Sequence, residues 1–285
     1  MRSFFPAKVL LFGEHRVLRG ARALAVPLNT KGVNWTFKKN EPDSRLIEFV
    51  DYLSSHFTLA DLRLDKLKTD VLAGWQLPGN VPFGYGLGSS GTVCAAICFR
   101  YGTPETLNLP PARLRELLAK MEGYFHGKSS GTDPLISFQN KAALIREKTI
   151  EWPKLPEGWK DHFFLLDTGI TRTSGPLIAD FLARYDTDSS WKKKVNEKWG
   201  VADECCINAL ITGNLTELET AFSQLSEQQF SLVPNLIPAT IQPIWRGESY
   251  SLKLCGAGGG GYMLGKTSNI LQTREELKGW KLLVF

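Results

Sequence analysis

Residues 82 to 97 read PFGYGLGSSGTVCAAI, in which four glycines and two serines run straight into an apolar stretch. Glycines let backbone N–H groups converge on an oxyanion, and the start of a following helix adds unsatisfied donors and a partial positive charge. The stretch is therefore built as an anion cradle, with Gly84, Gly86, Leu87, Gly88, Gly91 and Thr92 lending backbone. The hydroxyls of Ser89 and Ser90 can reach phosphate or Mg2+. A Gly-rich turn capped by serine is the plainer reading of the same letters. Gly86, Gly88 and Gly91 also fit the dinucleotide pattern G-x-G-x-x-G, but so do Gly256, Gly258 and Gly261, where a strand follows, so the pattern does not discriminate. A Walker loop is disfavoured, because Thr92 follows Gly91 and the required lysine is missing.

Two further stretches carry chemistry. Glu122 to Pro134, EGYFHGKSSGTDP, packs Glu122, His126, Lys128, two serines and Asp133 into a short turn-rich run. Asp133 before Pro134 also suits the cap of a helix that begins on proline, Glu122 can be a solvated helix end, and His126 a structural histidine. In KLCGAGGGGYML, Lys253 to Leu264, nearly every residue between two apolar segments is glycine. Each glycine costs about 1 kcal/mol relative to alanine, so the run implies close backbone approach, by packing or by a ligand.

The elements that must position these residues are legible in part. Lys8 to Phe12, Ala23 to Leu28 and Val33 to Phe37 read as strands, and Asp61 to Leu77 has helical spacing. Thr92 to Tyr101 and Ala112 to Phe125 read as helices, the second with Leu114, Leu117, Leu118 and Met121 on one stripe. Lys141 to Ile145 and Phe163 to Leu166 read as strands on either side of EWPKLPEGWKD, the best linker candidate. Ser174 to Tyr185, Ser190 to Leu210 and Asn214 to Ser226 read as helices, and Tyr250 to Leu254 and Gly261 to Leu264 as strands. Mixed helices and strands predict an α+β or α/β layer.

With 285 residues, 43% of them apolar and 22% charged, the chain has the composition of a globular protein of one or two domains. Thirty-four Lys and Arg against 29 Asp and Glu give a net charge of +5. The interleaved signs argue against a nucleic-acid partner, and Lys192 to Lys194 read as a solvated helix face. Five cysteines without metal or disulfide spacing predict reduced thiols and a cytoplasmic protein. Lys8, Glu14 and His15 interrupt any signal-peptide core, and no run approaches the roughly 18 apolar residues of a membrane span.

The ordered set of stretches resembles a known superfamily. PAKVLLFGEHR at the start, GLGSSG at 86–91, HGKSSGTD at 126–133, DTGITRTS at 167–174 and CGAGGGG at 255–261 are similar to the motifs of the GHMP kinases, which include galacto-, homoserine, mevalonate and phosphomevalonate kinases. The opening, with Lys8 and the Gly13-Glu14-His15 triplet, resembles the mevalonate kinases of compact bacterial type. The resemblance implies an α+β, two-domain GHMP kinase fold. Residues 1–155 would be an ATP- and Mg2+-binding domain similar to ribosomal S5 domain 2, and residues 156–285 a ferredoxin-like α/β sandwich. It implies phosphorylation of a small-molecule hydroxyl, mevalonate to 5-phosphomevalonate, with ATP and Mg2+, no nucleic acid or membrane partner, and a homodimer as one assembly open to it. By the resemblance Asp133 orients or deprotonates the hydroxyl and Lys8 stabilises the alkoxide and the transferring phosphoryl group. Ser89 or Ser90 with Glu122 hold Mg2+, and Glu14, His15, Thr173, Gly256, Ala257 and Gly258 serve the substrate.

The chain departs from the family pattern at Ser129, in place of proline, at Gly91 and Thr92, in place of alanines, and at Cys255, in place of threonine. Two rival readings stay within the fold. One is another GHMP kinase acting on phosphomevalonate or a sugar, for which Lys128, Arg172 and Arg22 are the cations to inspect. The other is a silent binding protein, in which Lys8, Glu122 and Asp133 would point away from the glycine-rich loop. A Rossmann oxidoreductase is the distant third.

Overall fold

The computed structural model describes residues 2–81, 84–147 and 149–285. Pro82 and Phe83, which open the first glycine-rich stretch, lie outside the described residues. Two compact units emerge, one of residues 1–8, 26–82 and 87–141 and one of residues 9–25, 83–86 and 142–285. The sequence reading draws a single boundary at residue 155, but the units are discontinuous. Their long strands β1 (Phe4–Phe12) and β2 (Ala23–Asn34) pass from one unit to the other, which no shift in composition records.

In the first unit, β3 (Thr36–Phe37) and β4 (Trp75–Gln76) form a short antiparallel pair. Helix α1 (Ser44–His56) is absent from the sequence reading, yet its signals are ordinary: Asp43 caps it by accepting from the Arg45 and Leu46 N–H groups, and Leu46, Phe49, Val50 and Leu53 make a buried stripe. Helices α2 (Leu64–Ala73), α3 (Ser89–Tyr101), α4 (Pro104–Leu107), α5 (Pro111–His126) and α6 (Thr132–Gln139) follow. Helix α3 buries residues on nearly all sides, so it is the spine of the unit, and α5 and α6 pack against it.

In the second unit, β5 (Ala143–Arg146) pairs antiparallel with Ala23–Ala25 of β2 and with β6 (Thr149–Glu151), giving the order β1-β2-β5-β6. Strand β7 (Phe163–Asp167) leads to α7 (Ser174–Thr187), α8 (Ser189–Lys194), a π-helical turn at Val195–Trp199, α9 (Gly200–Thr212) and α10 (Leu215–Leu232). Strands β8 (Tyr250–Leu254) and β9 (Tyr262–Thr267), helix α11 (Ile270–Glu276) and β10 (Lys281–Val284) complete the chain. The sheet runs β10-β7-β9-β8 and is antiparallel throughout. This β-α-β-β-α-β arrangement is the ferredoxin-like one expected of the C-terminal half, and its antiparallel sheet is unlike the parallel, doubly wound sheet of a Rossmann domain. Phe164, Leu165, Leu252, Met263 and Leu264 are fully buried and form its core. Among the described residues no helix is long and apolar enough to cross a membrane.

Candidate active site

Two helix N-termini meet in the first unit, and glycine makes the meeting possible. Gly88 caps α3 at φ 69°, a left-handed conformation in which a side chain is strained. A Cβ there would lie 3.0 Å from Asp133 Oδ2, and one on Gly91 would lie 2.8 Å from the Pro134 nitrogen. The start of α6 therefore sits hard against the start of α3. Asp133, in the first turn of α6, is delivered to the loop 87–91. Lys8 reaches the same place from β1: its backbone N–H donates to Leu87 O at 3.0 Å, and its Nζ stands 3.3 Å from Asp133 Oδ2.

Next to this pair lies a polar cluster around Glu122, near the end of α5 and only 4% exposed. Ser90 donates to Glu122 Oε1 at 2.8 Å, Ser129 donates to Oε2, and His126 Nε2 lies 2.9 Å from Ser90 Oγ. Burial raises the Glu122 pKa, the nearby Asp133 charge adds to the rise, and the two serine hydroxyls oppose it. Two neighbouring carboxylates, one of them buried, are an environment that a cation relieves. Hydroxyl and carboxylate oxygens are hard donors that suit Mg2+, which uses one or two carboxylates and takes its other ligands from phosphates and water. The described residues contain no group of three or more His, Cys, Asp and Glu able to hold a metal. Ser89, Ser90, Glu122, Lys8 and Asp133 thus converge on one loop. The Thr92 hydroxyl is engaged within α3, donating to Ser89 O at 2.6 Å.

The second unit gathers the other candidates. His15 adopts φ 57°, stacks on Phe181 at 4.5 Å and is 4% exposed. Its Nε2 lies 3.2 Å from Ala257 O; a carbonyl only accepts, so Nε2 carries the proton. Burial lowers the His15 pKa to about 4, so the ring is neutral near pH 7 and its Nδ1, buried with no hydrogen-bond partner among the described residues, is an acceptor. Thr173 is exposed at the start of α7. Arg172 donates to Ser174 Oγ and, at 3.4 Å, to Cys255 O, while its Nε is buried with no hydrogen-bond partner among the described residues. Desolvation lowers its pKa. This guanidinium, packed against Gly86 and Gly256, is suited to an anion. The glycine run itself is explained largely by packing: added Cβ atoms would meet Leu236 O at Gly258, Ile170 O at Gly260 and Tyr85 O at Gly261.

Glu14 differs from its expected role. It is fully buried and pairs with Lys253, also fully buried, which donates as well to Leu11 O at 2.8 Å and Leu254 O at 2.6 Å. Burial raises the Glu14 pKa to about 7 against the opposing pull of Lys253. Arg16 and Asp203 stand 3.2 Å apart in the same network, and Gly13 N–H points at Asp203 at 3.4 Å. Glu14 therefore braces the turn that carries His15. The sequence held one signal for its partner, a lysine between two leucines in a strand otherwise apolar at its core.

Comparison with known proteins finds similar sequences and a similar fold. Residues 52–140 match the GHMP kinases N terminal domain. The chain is 24% identical to a mevalonate kinase from Archaeoglobus fulgidus over 91% of this chain and 90% of the relative. It is 26% identical to one from Pyrococcus horikoshii over 90% and 86%. The crystal structure of mevalonate kinase from L. major in complex with R-mevalonate superposes with a TM-score of 0.70 at 18% identity, covering 100% of this chain and 96% of that one, which shows a shared fold.

Proposed function

We propose that the chain is a GHMP kinase that transfers the γ-phosphoryl group of ATP to the 5-hydroxyl of mevalonate, giving 5-phosphomevalonate and ADP; the match to the GHMP kinases N terminal domain and the fold shared with a mevalonate kinase support this reading. The observation that carries this reading is the Lys8–Asp133 pair, 3.3 Å apart, at the glycine-shaped start of α3. A silent binding protein would have no need for both charges and Glu122 to converge there.

In this reading Asp133 accepts a hydrogen bond from the substrate hydroxyl, aligns it and takes its proton as the new O–P bond forms. Lys8 neutralises charge on the attacking oxygen and on the phosphoryl group in flight. Backbone N–H groups from Leu87 to Thr92 hold the phosphates at the helix start. Ser90 and Glu122, with Ser89 beside them, hold Mg2+, which when bound neutralises phosphate oxygens. His15 accepts from a substrate hydroxyl through Nδ1, Thr173 adds a hydroxyl, Arg172 meets the substrate carboxylate, and Gly256, Ala257 and Gly258 border the acceptor. Phosphoryl transfer asks mainly for alignment and charge neutralisation, which these groups provide. Residues 1–155 on this view serve ATP and Mg2+, and residues 156–285 complete the enzyme in the cytoplasm.

Arg172, held among the described residues by the neutral oxygens of Ser174 and Cys255, supports a second reading, because a phosphorylated acceptor would satisfy it equally. The test is ADP release by wild type and D133A with Mg2+-ATP and mevalonate, phosphomevalonate, homoserine or galactose. Release with mevalonate alone, lost in D133A, is expected. Activity with phosphomevalonate alone would transfer the assignment to the second reading.

A further inference from the structure

The cluster around Glu122 contains two groups that the proposed chemistry does not use, His126 and Ser129. Glu122 Oε1 accepts from Ser90 and Oε2 from Ser129. Ser90 has a single proton and directs it at Glu122, so the 2.9 Å contact with His126 has Nε2–H donating to Ser90 Oγ. That leaves Ser90 Oγ one lone pair. Ser129 is likewise fixed from both sides: it donates to Glu122 and accepts the Gly131 N–H at 2.9 Å. Gly131 takes φ 69° at the start of α6, where any Cβ would strike Arg115 O, so the donor to Ser129 is rigidly placed. The buried carboxylate is thus gripped by two hydroxyls from different elements, one at the start of α3 and one in the loop between α5 and α6. Each of its oxygens keeps a lone pair.

We infer that Ser129 is a positioning residue of the cation site, whose hydroxyl holds the Glu122 carboxylate in the orientation that binds a divalent cation. This rests on the proposal that Glu122 is a cation ligand. Position 129 carries proline in the GHMP pattern, and proline has no hydroxyl to donate, so this second grip belongs to the present chain. Partners that orient a ligand typically change metal affinity by about 10- to 100-fold when removed.

The test reads metal binding without turnover. Mn2+ is titrated into the full chain with a non-hydrolysable ATP analogue, and free Mn2+ is followed by electron paramagnetic resonance. S129A is expected to weaken Mn2+ binding about tenfold, S129T to stay within about twofold of wild type, and metal-free binding of the analogue to be unchanged in both. Equal Mn2+ affinity in S129A and wild type would overturn the inference. So would equal loss in S129T and S129A, or equal loss of metal-free analogue binding in S129A, because neither depends on the hydroxyl's grip. E122Q separates the two levels: if it binds Mn2+ as wild type does, Glu122 is no ligand and the underlying reading fails together with the inference.

Discussion

Lys8 and Asp133 form an ion pair, and in the proposed reading each charge has a different task, so the two should fail differently. K8M removes a charge matched to the transition state, so kcat on mevalonate should fall by about 10²- to 10³-fold with the affinity for a fluorescent ATP analogue little changed. D133N keeps the shape but not the basicity, and should cost about 10²- to 10⁴-fold in single-turnover rate. A rate left intact in either variant would remove that residue from the chemistry. These residues were legible because their motifs are short: Asp133, Glu122 and Ser90 lie in compact stretches whose types announce phosphate chemistry. Glu14 was legible as a motif member but not in its role, because its partner Lys253 is 239 positions away and only the fold brings them together. In the sequence Ser129 reads only as a departure, and the role proposed for it rests on the direction of its hydroxyl.

Helix α3 and helix α6 approach each other through Gly91. A methyl there would need the backbone at Pro134 to shift, because the gap is 2.8 Å and backbone cannot rotate away as a side chain can. G91A should therefore lower stability by about 1–3 kcal/mol and also reduce kcat, since the shift moves Asp133. Urea denaturation and turnover on the same sample check both effects; loss of stability without loss of rate would show that α6 yields away from the catalytic carboxylate. At this scale α3 and α5 were read correctly from glycine-to-helix order and from the apolar stripe of Leu114, Leu118 and Met121. The order β10-β7-β9-β8 was not readable from periodicity, because it depends on pairing between segments far apart in the chain.

For the molecule as a whole, the buried charges of Glu14, Lys253, Arg16 and Asp203 tie stability to pH. In E14Q the buried Lys253 loses its carboxyl partner, which should lower stability. K253M should cost less, because the carboxylate left behind can take up a proton, and E14Q/K253M should recover part of the E14Q loss in a urea denaturation cycle. The sign of the pH effect follows from the raised Glu14 pKa. Its contribution is fully present below the ordinary value of 4.5 and is lost as pH rises through about 7, so the stability difference between wild type and E14Q should shrink from pH 5 to pH 8. A difference independent of pH would contradict the placement of Glu14.

The π-helical turn at Val195–Trp199 adds a constraint of another kind. Such a turn holds one residue more than a regular helix, as a single-residue insertion would leave it. Deleting one residue ahead of the turn, in α8, would rotate everything beyond it by about 100°. Gly200 and Asp203 would swing off Arg16, and the edge contact of Trp199 with His15 would go with them. Along this stretch the chain should tolerate exchanges of exposed residues far more readily than the loss of one, so that the count of residues, more than their identity, keeps the His15 turn in place.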